Sequence, residues 1–165
     1  MQNKQLVLSY QIFELSELSQ SDCELLTRAR EVAKNAYAPY SHFKVGAAVL
    51  LENSEIVVGC NQENAAYPSG LCAERIALFS AYAQFPMIPV DTIAITAIGN
   101  KSVIEEPISP CGSCRQVITE FESISKRPIR ILMQGEKGAI MCIDGASTML
   151  PFMFAEDVLK RYTKE

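Results

Sequence analysis

Cysteine opens two segments of helical periodicity, and this limits the chain's architecture more than any other feature. In Pro110-Cys111-Gly112-Ser113-Cys114-Arg115 two cysteines stand three positions apart at a helix start, so both can turn toward one point. The positive end of the helix dipole favours the thiolate, the form that binds zinc. Alone, such a pair serves as a redox couple, as half of a zinc site or as two buried residues. Cys72-Ala73-Glu74-Arg75 places a third cysteine at a second helix start. Three cysteines make a three-ligand zinc site with one open position, and an open position holds water and implies catalysis rather than structure. Glu74, in the first helical turn, stands close to such a metal while free to avoid ligating it. Three thiolates make zinc a poor Lewis acid. Two helix N-termini and Arg75 would withdraw charge from the sulfurs and restore acidity to the water. The ordinary reading of Arg75 is a solvated or ion-paired helix residue. The one histidine, His42, lies beside a turn and reads as a surface or hydrogen-bonded residue, not a fourth ligand.

The remaining cysteines, Cys23, Cys60 and Cys142, read as small buried residues. Six cysteines would suit three disulfides in a secreted chain. Met1 to Tyr10, however, has one lysine and no sustained apolar core followed by a small-residue cleavage site, so a reducing, cytoplasmic location is expected. Apolar runs such as Ala47 to Leu51 fall far below the roughly 18 residues of a membrane helix, and no membrane partner is expected. The net charge of −4 argues against a nucleic-acid partner, which needs a basic patch, but not against a nucleoside, which carries no phosphate. A chain of 165 residues fits one domain and can bury roughly two-thirds of its unfolded surface without disulfides.

Periodicity predicts a helix from Ser21 to Tyr37, with Ser21 as N-cap, Glu24 closing a capping box and Pro39 ending the run. Phe43 to Leu51 and Ile56 to Gln62 read as a hairpin around the turn Glu52 to Glu55. Cys72 to Phe85 and Cys111 to Ser123 read as helices. Val90 to Ile98, Ile129 to Gln134 and Ala139 to Ile143 read as strands, and Ala155 to Tyr162 as a short terminal helix. Tyr10 and Ile12 fit either an added edge strand or a loosely docked tail. The expected fold is α/β, a mixed central sheet flanked by helices on both faces. Residues 1–20 read as an N-terminal extension and 21–165 as one catalytic domain.

Cys-Ala-Glu followed by Pro-Cys-x-x-Cys is the pattern of zinc deaminases. Together with Tyr37-Ala38-Pro39-Tyr40-Ser41-His42-Phe43-Lys44-Val45-Gly46-Ala47-Ala48, Gly59-Cys60-Asn61-Gln62-Glu63-Asn64-Ala65 and the weaker Leu150-Pro151 with Phe154, it makes the chain resemble the cytidine deaminase family, in its small homotetrameric branch. Cysteine at position 72, where nucleotide and tRNA deaminases usually carry histidine, points to the branch acting on free nucleosides. The resemblance implies an α/β/α fold and one zinc per subunit, held by Cys72, Cys111 and Cys114. It implies hydrolysis of cytidine and deoxycytidine to the uridines and ammonia in pyrimidine salvage, with Glu74 as proton shuttle.

By the same resemblance Asn61 and Glu63 bind ribose hydroxyls, Phe43 packs on the pyrimidine, and the backbone at Ala73 reads the base edge. Tyr67 and Phe154 resemble residues lent to the site by neighbouring subunits. Each has a plainer reading: Phe43 and Phe154 as core, Asn61 and Glu63 as turn formers, Tyr67 as a loop anchor before Pro68. Two departures from the compact family pattern are the residues before Ser21 and a longer stretch between Phe85 and Pro110. The polar part of the latter, Lys101 to Pro107, is expected to be a surface loop. The competing functions are a related zinc deaminase acting on a modified nucleoside or a nucleotide, and a non-catalytic zinc or redox protein, which would have no use for Glu74.

Overall fold

The computed structural model describes residues 1–155, 159, 161 and 162. One six-stranded sheet forms from β1 (Gln11–Phe13), β2 (Lys44–Leu51), β3 (Ile56–Cys60), β4 (Val90–Ile98), β5 (Arg130–Met133) and β6 (Ile140–Asp144). Its order is β1-β6-β5-β4-β2-β3. Among neighbouring strands of the described residues only β4 and β5 run parallel; they are the neighbours joined by a helical crossover, through α3. The helices are α1 (Gln20–Ala33), α2 (Ala73–Gln84), α3 (Gly112–Ser125) and the short α4 (Ala146–Met149).

Strand alternation divides the core into two layers. Leu25, Leu26 and Ala29 of α1 pack on Ala48, Ala94, Leu132 and Ile140 on one face. Ala77, Leu78 and Ala81 of α2 and Ile118 and Phe121 of α3 pack on Ala47, Val49, Ile93, Ile95 and Ile131 on the other. The expected mixed sheet with helices on both faces is therefore observed.

Two glycines set how closely the helices approach. A Cβ on Gly46 of β2 would lie 2.0 Å from the Ala29 carbonyl oxygen of α1. A Cβ on Gly59 of β3 would lie 2.5 Å from the Ala77 nitrogen and 2.7 Å from the Ala73 oxygen of α2. Each helix thus lies backbone against strand, and the start of α2 is held at the sheet end.

Several boundaries differ from expectation. The N-cap of α1 is Ser19, whose hydroxyl accepts from the Asp22 N–H at 3.1 Å, not Ser21. Leu18 packs into the α1-side core and draws the start earlier, and Asp22 then pairs with Arg130 at 2.5 Å. The helix ends near Ala33 rather than Tyr37, because Tyr37 leaves to exchange backbone hydrogen bonds with Asn61 and Glu63. Gln11–Phe13 forms an edge strand on β6, which resolves the ambiguity at Tyr10 and Ile12. Cys142 is buried, whereas Cys23 and Cys60 are half-exposed, Cys60 because it lies near the end of the outermost strand β3. Of the terminal helix expected over Ala155 to Tyr162, Leu159, Arg161 and Tyr162 are helical and residues 156–158 and 160 lie outside the described residues. The Lys101 to Pro107 stretch is a mostly exposed loop; the Ile104 carbonyl accepts from the N–H groups of Glu136 and Lys137 and ties it to the β5–β6 turn.

The close approach at Gly59 predicts that Gly59→Ala lowers stability by about 1–3 kcal/mol through overpacking. Gly112→Ala, where a Cβ meets nothing within 4 Å, should leave stability unchanged or raise it slightly. Urea unfolding of the two variants checks this; an undisturbed Gly59→Ala would show that the helix has room to shift.

Candidate active site

Cys72 is the N-cap residue of α2 and Cys111 the N-cap residue of α3, both with extended backbone and neither thiol engaged in capping. The free thiols can therefore leave their helix ends. Cys114 follows in the first turn of α3, at the position whose side chain a capping box normally turns back toward the N-cap. The three sulfurs lie within 4.8 Å of one another. Cys72 Sγ is 3.8 Å from Cys111 Sγ, which is 3.6 Å from Cys114 Sγ. Ligands placed tetrahedrally at about 2.3 Å from zinc are about 3.8 Å apart, so the cluster fits one zinc ion.

The electrostatics point the same way. The Cys72 thiol is lowered to about 5, first by the hydrogen bond Cys114 gives it, with Arg75 and Cys111 adding to this against the effect of burial. Cys114 is pushed up, chiefly because it gives that hydrogen bond, and burial and the charges of Glu74 and its fellow thiols add to the effect. The shifts of Cys72 and Cys114 are thus opposite, and a bound dication would favour the thiolate at all three positions. An Arg75 Nη donates to Cys72 Sγ at 3.9 Å, so Arg75 does touch the cluster.

Glu74 follows Cys72 by two residues and is only 4% exposed. Burial, above all, holds its carboxyl above the ordinary carboxylate range; a backbone N–H opposes this and the Cys72 charge reinforces it. A carboxyl with its proton affinity raised in this way is suited to take up a proton and give it back. Ala73, between Cys72 and Glu74, is fully buried.

A cleft of about 370 Å³ ends at Cys72 and is lined by Tyr40, Ser41, Asn61, Glu63, Asn64, Tyr67, Gly70 and Leu71. This is a nucleoside-sized space. Glu63 stays ionised: the Ser41 hydroxyl, then the Tyr40 N–H, hold its carboxyl below the usual range. The Asn61 amide accepts from the Val45 N–H at 2.7 Å and donates to the Phe43 carbonyl at 2.9 Å, so it fastens the loop before β2.

The structure thus brings together Cys72, Cys111, Cys114, Glu74 and Arg75, with Asn61, Glu63 and Tyr67 in the adjoining cleft. Tyr67 lines the cleft of its own chain, 77% exposed, with Tyr40 edge-on to it at 6.1 Å. Phe43 lines a neighbouring depression that shares Ser41 and is walled by Gly99 to Ser102. Phe154 lies outside the cleft lining, 58% exposed, with its backbone held by the Gln116 amide at 2.7 and 3.3 Å. His42 is exposed, in a left-handed turn. Sequence reasoning assigned no role to Ser41 or Gln116. Ser41 lies inside a matching block and Gln116 directly follows Arg115 of another, but a polar residue in a loop or on a helix gives no sign of the distant group it binds.

Sheet order, paired helix starts and a three-thiol cluster beside a buried carboxyl define a zinc hydrolase site of the deaminase type. Residues 19–129 match the cytidine and deoxycytidylate deaminase zinc-binding region, and the chain belongs to that family. A cytidine deaminase of Halalkalibacterium halodurans is 37% identical over 135 residues, covering 81% of this chain and 95% of that protein. One from Sporosarcina psychrophila is 43% identical over 98 residues, covering 59% of this chain and 68% of its own length. The crystal structure of a Burkholderia pseudomallei cytidine deaminase superposes with a TM-score of 0.69 at 37% identity, over 79% of this chain and 97% of that one.

Proposed function

We propose that this chain deaminates cytidine and deoxycytidine hydrolytically, giving the uridines and ammonia in pyrimidine salvage. The observation that carries this reading is the buried Glu74 beside three converging thiols, one of which, Cys72, lines a nucleoside-sized cleft. Cys72, Cys111 and Cys114 would hold the zinc, which supplies Lewis acidity and makes water a nucleophile near neutral pH. Glu74 accepts the proton that the attacking water gives up and delivers it to N3 of the pyrimidine. It then takes the remaining proton from the new C4 hydroxyl and passes it to the 4-amino group, and the C4–N bond breaks as ammonia departs and the C4 carbonyl forms. Burial raises the affinity of Glu74 for the proton it carries between these steps. Arg75, donating to Cys72, draws charge from the sulfur. Ionised Glu63 can only accept hydrogen bonds, so it selects a donor, and a sugar hydroxyl is one. Asn61 keeps acceptor and donor capacity for the same sugar.

We also read the chain as a cytoplasmic homotetramer in which Tyr67 and Phe154 reach a neighbour's site. Support comes from the exposure of both rings and of Phe79 and Tyr82, which cluster with Phe121 on the α2–α3 face. Among the described residues no helix is long and apolar enough to cross a membrane.

Cytidine should be turned over by the zinc-loaded protein, followed by loss of its absorbance and by ammonia release. Glu74→Gln should keep its zinc and fold and lose at least about a thousandfold in kcat. Turnover near the parent's would remove Glu74 from the reaction. If the protein with one zinc per chain ignores cytidine but turns over a modified nucleoside or nucleotide, the site stands and the substrate is different. Light scattering should read four chains; a monomer would contradict the shared sites.

A further inference from the structure

Three hydrogen bonds from one short loop hold the Glu63 carboxylate. Its Oε1 accepts from the Ser41 hydroxyl at 2.5 Å, and its Oε2 accepts from the N–H groups of Tyr40 at 2.9 Å and Ser41 at 3.3 Å. A carboxylate offers about four acceptor positions, so one remains for a ligand. Ser41 Oγ accepts in turn from the Phe43 N–H at 3.0 Å. A peptide N–H only donates, so this bond leaves the serine proton to point at Glu63. The direction of the Ser41–Glu63 bond is thereby determined by the backbone.

The cleft is open to solvent and Glu63 has a flexible side chain at its wall. Without these bonds the carboxylate would sample several rotamers, and a ligand would have to order it on binding. Ser41 also joins two parts of the site. It lies in the Tyr40–Phe43 loop, and through Glu63 it ties that loop to the segment after β3. Asn61 makes the same connection from the other side, through Phe43 and Val45.

We propose that Ser41 is a positioning residue: its hydroxyl fixes Glu63 in the rotamer whose free acceptor position meets a sugar hydroxyl, and so sets the enzyme's preference for substrates that carry that hydroxyl. This rests on the reading of Glu63 as a sugar-binding group. A serine that merely shapes the loop would support every substrate alike. A serine that acts through Glu63 supports only substrates able to donate to Glu63.

The test compares cytidine with 2′,3′-dideoxycytidine, which lacks both ribose hydroxyls, on the zinc-loaded protein. In Ser41→Ala, KM for cytidine should rise roughly tenfold, the scale of a lost hydrogen bond to a charged group, with kcat within about twofold. The kcat/KM for dideoxycytidine should stay within about twofold of the parent's. Ser41→Thr, which keeps the hydroxyl, should restore the preference. Equal losses on both substrates would overturn the proposal and make Ser41 a loop-forming residue, and so would an unchanged KM for cytidine. Glu63→Ala, measured in parallel, separates the two levels of inference. If it abolishes the preference while Ser41→Ala does not, the positioning role alone fails. If Glu63→Ala leaves the preference intact, the sugar-binding reading fails and the proposal falls with it.

Discussion

Three cysteine thiols within 4.8 Å of one another make a charge problem that the rest of the molecule is arranged around. Thiols this close can lose one proton readily and the others only with a counter-charge. The structure shows this in the opposite displacement of Cys72, lowered to about 5, and Cys114, pushed up by its bond to Cys72 and by burial. Two helix N-termini supply partial positive charge and Arg75 a guanidinium at Cys72, and all three favour a thiolate there. A zinc ion supplies the rest, and the sulfur spacing is that of a tetrahedral zinc site.

Positioning such a cluster is a backbone problem before it is a side-chain one. Cys72 and Cys111 belong to different helices, and α2 could not lie as close to the sheet if held off it by an ordinary side chain at Gly59. Gly59 lets α2 lie directly on β3, and the parallel pair β4–β5 places α3 beside it on the same face. Glu74 is buried because α2 is pressed down at its first turn. The same packing that brings the sulfurs together therefore raises the proton affinity of the group beside them. The wall of the adjoining cleft is built separately. It uses the loop before β2 and the segment after β3, which Asn61 and the Ser41–Glu63 pair lock together. The thiol cluster and the cleft meet at Cys72.

Much of this was legible in the sequence, for identifiable reasons. Cysteine at a helix start with a carboxylate two residues on, and the CxxC pair, are local patterns whose geometry follows from the helix itself. The strands that carry continuous apolar runs, β2 and β4, were placed to within about a residue. What was not legible depends on contacts distant in sequence. Ser19 and Ser21 are both good caps, and burial of Leu18 decided between them. The end of α1 is set by pairing of Tyr37 with Asn61 and Glu63, not by Pro39. The α4 turn was missed: its Ala146 N–H is capped by Glu122 from α3, a partner no local pattern announces. Phe43 lines a depression beside the cleft, and Phe154, which the family blocks assign to a neighbouring subunit's site, lies outside the cleft lining of its own chain.

The central claim is that these sulfurs hold one zinc and leave one position for water. X-ray absorption at the zinc K-edge of the purified holoprotein tests it most directly. Three sulfur neighbours at about 2.3 Å and one oxygen or nitrogen at about 2.0–2.2 Å are expected. Four sulfurs, or a shell dominated by nitrogen and oxygen, would contradict it.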